Sequence, residues 1–144
     1  MRKSLLGIMC FFAIMLVGFQ VAGQYGRAYN VEATVDIKPE TLNLNMQGQW
    51  ITAHIELPEG YNVSDIDPES ILLENMFGAV RSNMEGRTLM VKFEADGVID
   101  YLWILLLHMG GYRSHVDLTI KGQLRDGTQF AGMDTITIMD PIKH

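Results

Sequence analysis

The chain has 144 residues, 48% apolar and 19% charged, with 11 basic against 17 acidic side chains and a formal net charge of −6. This balance excludes a nucleic-acid binder, which needs a basic face to displace phosphate counterions, because Arg81, Arg87, Arg113, Arg125 and the lysines are scattered singly. A single cysteine, Cys10, excludes a disulfide scaffold, so an apolar core must hold the domain, which about 120 residues suffice to build.

Arg2 and Lys3 precede an uncharged run from Leu5 to Phe19, and Val21, Ala22 and Gly23 supply the small side chains that a signal peptidase favours. The pattern predicts a secretory signal over 1–23, cut after Gly23 or, as a second site, after Ala28, and one domain over 24–144. The competing reading is an uncleaved N-terminal anchor, since Ser4 to Gly26 is long enough to cross a hydrocarbon core of about 30 Å. Cleavage removes Cys10, Arg2 and Lys3 and leaves 9 basic and 17 acidic side chains, a net charge of −8. An acidic surface of that kind keeps exported proteins soluble. The expected location is secreted or cell-surface, with no membrane span once the leader is removed.

The remaining chain alternates with a period of two. Val31, Ala33, Val35 and Ile37 interleave with Glu32, Thr34 and Asp36, predicting one strand that Pro39 closes. Leu42 and Leu44 form a short second strand. Ile51, Ala53, Ile55 and Leu57 interleave with Trp50, Thr52, His54 and Glu56, a half-buried strand that Pro58, Glu59 and Gly60 stop. Further strands follow at Ile71–Glu74, at Ala79–Ser82 and at Thr88–Phe93, the last two joined by a turn at Met84, Glu85 and Gly86.

From Asp96 to Met109 the period changes. Val98, Ile99, Leu102, Leu105 and Leu106 fall at helical spacings and Gly110 with Gly111 is a stop signal, predicting one helix near 96–109. Its run Tyr101 to Leu107 is apolar on every side, which suits a helix across the open end of a sandwich or, alternatively, a buried strand. Two strands close the chain, Val116 to Leu124 and Phe130 to Ile138, around a turn at Asp126 and Gly127. Seven or eight short strands at turn intervals predict an all-β, two-sheet antiparallel sandwich, immunoglobulin-like or related. A parallel α/β sheet would show continuously apolar strands instead.

Three stretches resemble a family of exported prokaryotic modules frequent in archaeal surface proteins. They are Val35-Asp36-Ile37-Lys38-Pro39, then Val63-Ser64-Asp65-Ile66-Asp67-Pro68-Glu69-Ser70, then the spaced set Gly122, Leu124, Asp126, Gly127, Thr128, Phe130, Gly132, Asp134 and Ile136. The resemblance covers nearly all of the chain after the leader, and the last set is its most specific part. It implies a small β-sandwich, often appended to larger extracellular proteins, without an assigned catalytic activity. Many members carry an acidic, glycine-rich loop resembling a calcium site just before the strand matched by Val91, Lys92 and Phe93. Here that stretch is Ser82, Asn83, Met84, Glu85, Gly86 and Arg87, with one carboxylate beside a cation, whereas calcium takes six to eight oxygens.

Asp65, Asp67 and Glu69 alternate, and with the Ser64 and Ser70 hydroxyls they offer hard oxygens to calcium; around Pro68 the same residues are ordinary turn formers. No other cofactor is expected. His54 with Glu56, and His115 with Asp117, make two i, i+2 pairs that would suit zinc if their strands were neighbours. Ser64, Ser70, Ser82 and Ser114 lack a nucleophile-elbow setting, and His115 points away from Ser114 because adjacent strand residues face opposite sides. Among the aromatic residues Trp50, Tyr61, Tyr101, Trp103 and Tyr112, the pair Trp50 and Tyr61 is the candidate glycan platform, with packing against a sandwich edge as the commoner role for such rings. Asn62-Val63-Ser64 is a glycosylation sequon. The expectation is a non-enzymatic exported module binding an extracellular protein or glycan; the alternative is a calcium-dependent binding module using Asp65, Asp67 and Glu69, and a small secreted hydrolase comes third.

Overall fold

The computed structural model describes residues 29–45 and 47–140. The expected secretory leader, its expected cut sites and Cys10 lie outside the described residues, as do Met46 and residues 141–144. Among the described residues ten strands form two sheets packed face to face, with one α-helix beside them. The strands are β1 (Tyr29–Glu32), β2 (Thr34–Lys38), β3 (Thr41–Asn43), β4 (Trp50–Glu56), β5 (Leu72–Leu73), β6 (Phe77–Gly78), β7 (Arg81–Glu85), β8 (Thr88–Glu94), β9 (Arg113–Gln123) and β10 (Gln129–Met139), with helix α1 at Ala95–Met109. One sheet runs β2-β4-β8-β7; the other runs β1-β10-β9-β5-β6, with β3 also on β10. The first matches the A-B-E-D order of an immunoglobulin-type sandwich and the second its G-F-C side.

Alternation correctly placed the core. Ile51, Ile55, Leu118 and Ile136 are buried, as are Val31, Ala33, Val35 and Ile37, and all belong to one cluster between the sheets. Each such aliphatic side chain removed from water contributes roughly 1.5–3 kcal/mol, which is what a domain without disulfides has to rely on.

Two expected strands are each divided between the sheets, which is why ten strands appear where seven or eight were expected. The segment from Val31 to Ile37 is not one strand. β1 lies parallel to β10, and the chain then leaves at Ala33 so that β2 pairs antiparallel with β4. It returns at Thr41, where β3 again runs parallel to β10. Likewise Ala79–Ser82 is a crossing: the Ala79 N–H donates to the Ile71 carbonyl in one sheet, and the Val80 N–H to the Lys92 carbonyl in the other. The hairpin turn also sits later than expected. β7 continues through Glu85, and the two-residue turn is Gly86 and Arg87, with Gly86 at φ 62° where a II′ turn requires a positive φ.

Helix α1 joins β8 to β9 across one end of the sandwich, as the first of the two sequence readings had it. Val98, Ile99, Leu102 and Leu106 enter the core, the Trp103 indole donates to the Leu44 carbonyl, and the Tyr101 hydroxyl donates to Glu74. Gly110 ends it in the left-handed region at φ 73°, its N–H reaching the Leu106 and Leu107 carbonyls. The opposite face stays exposed, with Leu107 at 72% and Ile104 at 57%. Among the described residues no helix is long and apolar enough to cross a membrane.

Candidate binding site

The spaced motif from Gly122 to Ile136 is accounted for by folding. A side chain at Gly122 would meet the Phe130 ring at 2.6 Å, and Phe130 is fully buried. At Gly132 a Cβ would lie 2.4 Å from Val35 and 2.6 Å from the Ala33 carbonyl oxygen, so this glycine lets the β1–β2 crossing pass over β10. Asp134 sits on the inward side of β10, where its carboxylate accepts the Ile37 N–H at 2.8 Å and so ties β2 to β10. Asp126 accepts from Thr128 across the β9–β10 turn, with Gly127 at φ 94°. The Thr128 backbone N–H first, and its hydroxyl second, hold the Asp126 carboxyl below the ordinary aspartate value. None of these residues is left over for chemistry.

The segment Asn62 to Ser70 behaves similarly. Asn62 caps a single 3₁₀ turn, its side-chain oxygen accepting the Ser64 N–H at 2.9 Å. Asp67 caps the next turn by accepting the Glu69 N–H at 3.1 Å, with Pro68 at its first position. The Ser70 hydroxyl donates to the Asp67 carbonyl and accepts the Gln123 N–H. Val63 and Ile66 are buried, and the Arg125 side chain donates to the Ser64 carbonyl. Asp65, Asp67 and Glu69 are thus spread along two capped turns. Among the described residues no three His, Cys, Asp or Glu side chains are grouped to hold a metal ion, these three included.

The two histidine pairs are not brought together. His54 and Glu56 lie on the outer face of the β2-β4-β8-β7 sheet, whereas His115 and Asp117 lie on the outer face of the other. The core separates them. His115 is opposite Thr137, and its ring nitrogen is 3.0 Å from that hydroxyl; Asp117 accepts from the Thr135 hydroxyl.

Trp50 and Tyr61 do not share a platform either. β4 begins at Trp50, and Tyr61 follows the turn beyond its far end, seven strand residues away, roughly 20 Å at the usual rise. Trp103 and Tyr101 are packing residues, half-buried and hydrogen-bonded; burial first, and the Glu74 carboxylate second, push the Tyr101 phenol above its ordinary value. A groove of about 650 Å³ lies at Tyr61's end. Its walls are the Leu57–Val63 loop and the β7–β8 turn, and they include Glu59, Tyr61, Asn62 and Arg87. Tyr61 is 44% exposed. Sequence reasoning found Tyr61 and Asn62 but missed Arg87, which is distant in the chain and reaches the groove only because β7 and β8 fold into a hairpin.

No protein-family model matches the chain, and no curated protein matches it either.

At the other end of β4, the Arg81 guanidinium lies over the Trp50 ring, 5.4 Å from its centroid. The pairing register places Arg81 directly opposite Lys92, Lys92 opposite Thr52, and Thr52 opposite Lys38, one row across four strands. Lys38 pairs with Asp36 and Glu40.

Proposed function

We propose that this chain is a non-enzymatic exported surface module that binds an extracellular protein or glycan through the groove at the Tyr61 end of the sandwich. The observation that carries the reading is Tyr61, a half-exposed ring in the wall of a groove of about 650 Å³, with the charged and amide groups of Glu59, Asn62 and Arg87 around the same opening. A flat ring beside a few polar groups is how a concave site orients a sugar or a peptide side chain. The motif resemblance to exported surface modules supports the same reading, as does a rigid two-sheet body whose loops at one end are free to diversify.

The test is binding to a glycan and extracellular-peptide array by the chain and by its Tyr61→Ala and Arg87→Ala variants. Loss of the bound spots, with a thermal midpoint within about 2 °C of the parent, is the expected result, since half-exposed surface groups rarely contribute more than about 0.5 kcal/mol. Unchanged binding by both variants would remove the groove as the site. A large fall in midpoint would show that Tyr61 is packing.

A further inference from the structure

A second site lies on the outer face of the β2-β4-β8-β7 sheet, away from the Tyr61 groove. Arg81 on β7 and Lys92 on β8 are directly opposite each other, and side chains so placed on neighbouring strands have Cβ atoms about 5 Å apart. Like charges in that position repel. Every other consideration favours compensation, because the chain is acidic overall, yet among the described residues neither cation has a carboxylate at ion-pair distance. Lys38, in the same row, has two.

The arrangement is held in place. Trp50, 38% exposed, carries the Arg81 guanidinium over its ring, a cation–π contact that favours one placement of an exposed side chain. Ser82, Asn83 and Met90 complete a shallow cleft of about 220 Å³ around the two cations. Two neighbouring cations lining one cleft with an amide beside them, one of them held on a ring, make a seat for a single oxyanion.

We propose that Arg81 and Lys92 bind the acidic substituent, carboxylate or sulfate, of a saccharide, with Asn83 hydrogen-bonding the sugar and Trp50 acting as the positioning residue for Arg81. The cleft is open and shallow, and Met90 is the one apolar side chain in its lining, so it suits a hydroxylated ring better than a peptide with apolar anchors. Glu94 and Glu85 lie on the same face along β8 and β7, on either side of the pair. A long polyanion is therefore repelled beyond one unit, and the preferred ligand is a short oligosaccharide with a single acidic residue.

The experiment is an NMR titration of the full exported chain with four probes: a glucuronate-bearing trisaccharide, its sulfated counterpart, the neutral trisaccharide and a glutamate tripeptide. Saturable shifts at Arg81, Lys92 and Asn83 with one or both acidic sugars are expected, and which one binds more tightly identifies the source of the oxyanion. Lys92→Met should weaken that binding at least ten-fold without lowering the thermal midpoint, because it relieves a repulsion and keeps the stem. Arg81→Lys should weaken it similarly, since an ammonium cannot reproduce the stacked fork. Lys38→Met and Tyr61→Ala should leave it unchanged. The proposal is overturned if neither acidic sugar shifts these residues at millimolar concentration, if the neutral sugar or the tripeptide binds as tightly, or if Lys38→Met weakens binding as much as Lys92→Met.

Discussion

Replacing Gly132 by alanine tests the strand crossing on which the sandwich is built. The added methyl carbon would sit 2.4 Å from Val35 Cγ2 and 2.6 Å from the Ala33 carbonyl oxygen, where carbon contacts ordinarily begin at about 3.5 Å. The second neighbour is backbone, so no rotamer change relieves it. The β1–β2 segment has to lift from β10, which strains the Ala33 N–H to Ala131 carbonyl bond, now 2.9 Å. Overpacking of this kind costs about 1–3 kcal/mol, and weakening one buried hydrogen bond adds about 1 kcal/mol. A total near 3 kcal/mol corresponds to a fall of about 12 °C in the thermal midpoint, at about 4 °C per kcal/mol for a domain of this size. The control is Gly78→Ala, where nothing lies within 4 Å of the new carbon and the midpoint should move by no more than about 3 °C. Thermal and urea unfolding of the two variants decide the matter. Equal midpoints for Gly132→Ala and Gly78→Ala would refute the close crossing, and with it the structural account of the motif's third glycine.

Other outcomes follow from the same geometry. Asp134→Ala should cost about 1–3 kcal/mol by urea unfolding, because the Ile37 N–H loses its acceptor at the crossing; a cost under about 0.5 kcal/mol would mean that water serves equally well. The Asp126 carboxyl should titrate below the ordinary aspartate range by NMR. Its depressed folded value means that its contribution is present above the unfolded-state pKa and disappears as pH falls through the folded one. Replacing Thr128 by valine removes the hydroxyl contact and should move the titration part of the way back. Millimolar calcium should leave the thermal midpoint unchanged, because the Asp67 carboxylate is occupied in capping its turn and Asp65 and Glu69 are not grouped with it around a common point. A clear rise would restore the calcium-dependent reading.

The residues singled out for chemistry show where local pattern stops being informative. Asp67 and Ser70 carried two meanings in the sequence, and in the structure both make turn hydrogen bonds. His54 and His115 looked alike, each with an acid two residues on, but whether two strands are neighbours depends on pairing across long separations, and theirs belong to different sheets. Arg81 and Lys92 showed nothing in the chain, eleven residues apart and both ordinary surface types; one hairpin register makes them a pair.

What the sequence by itself determined is everything with a short period or a local stop. Two-residue alternation told which side of the long extended segments meets the core, from Val31 through Ile37 to Ile136, because the pleat assigns faces whatever the partner strand turns out to be; β7, exposed throughout, showed no such side. Helical spacing and Gly110 located α1 within a residue at its start. Only the tertiary structure decided to which sheet each segment belongs. At Ala33 the chain changes sheets without breaking its inward-facing order, since both sheets enclose the same core and the alternation reads identically on either side of the switch; at Ala79–Val80 the order does break, for Phe77 and Ala79 pack on the core whereas Arg81 faces outward beside Lys92 and β7 is exposed throughout. The one trace of the first crossing in the sequence is a missing side chain a hundred residues away, at Gly132, where another strand needs the space.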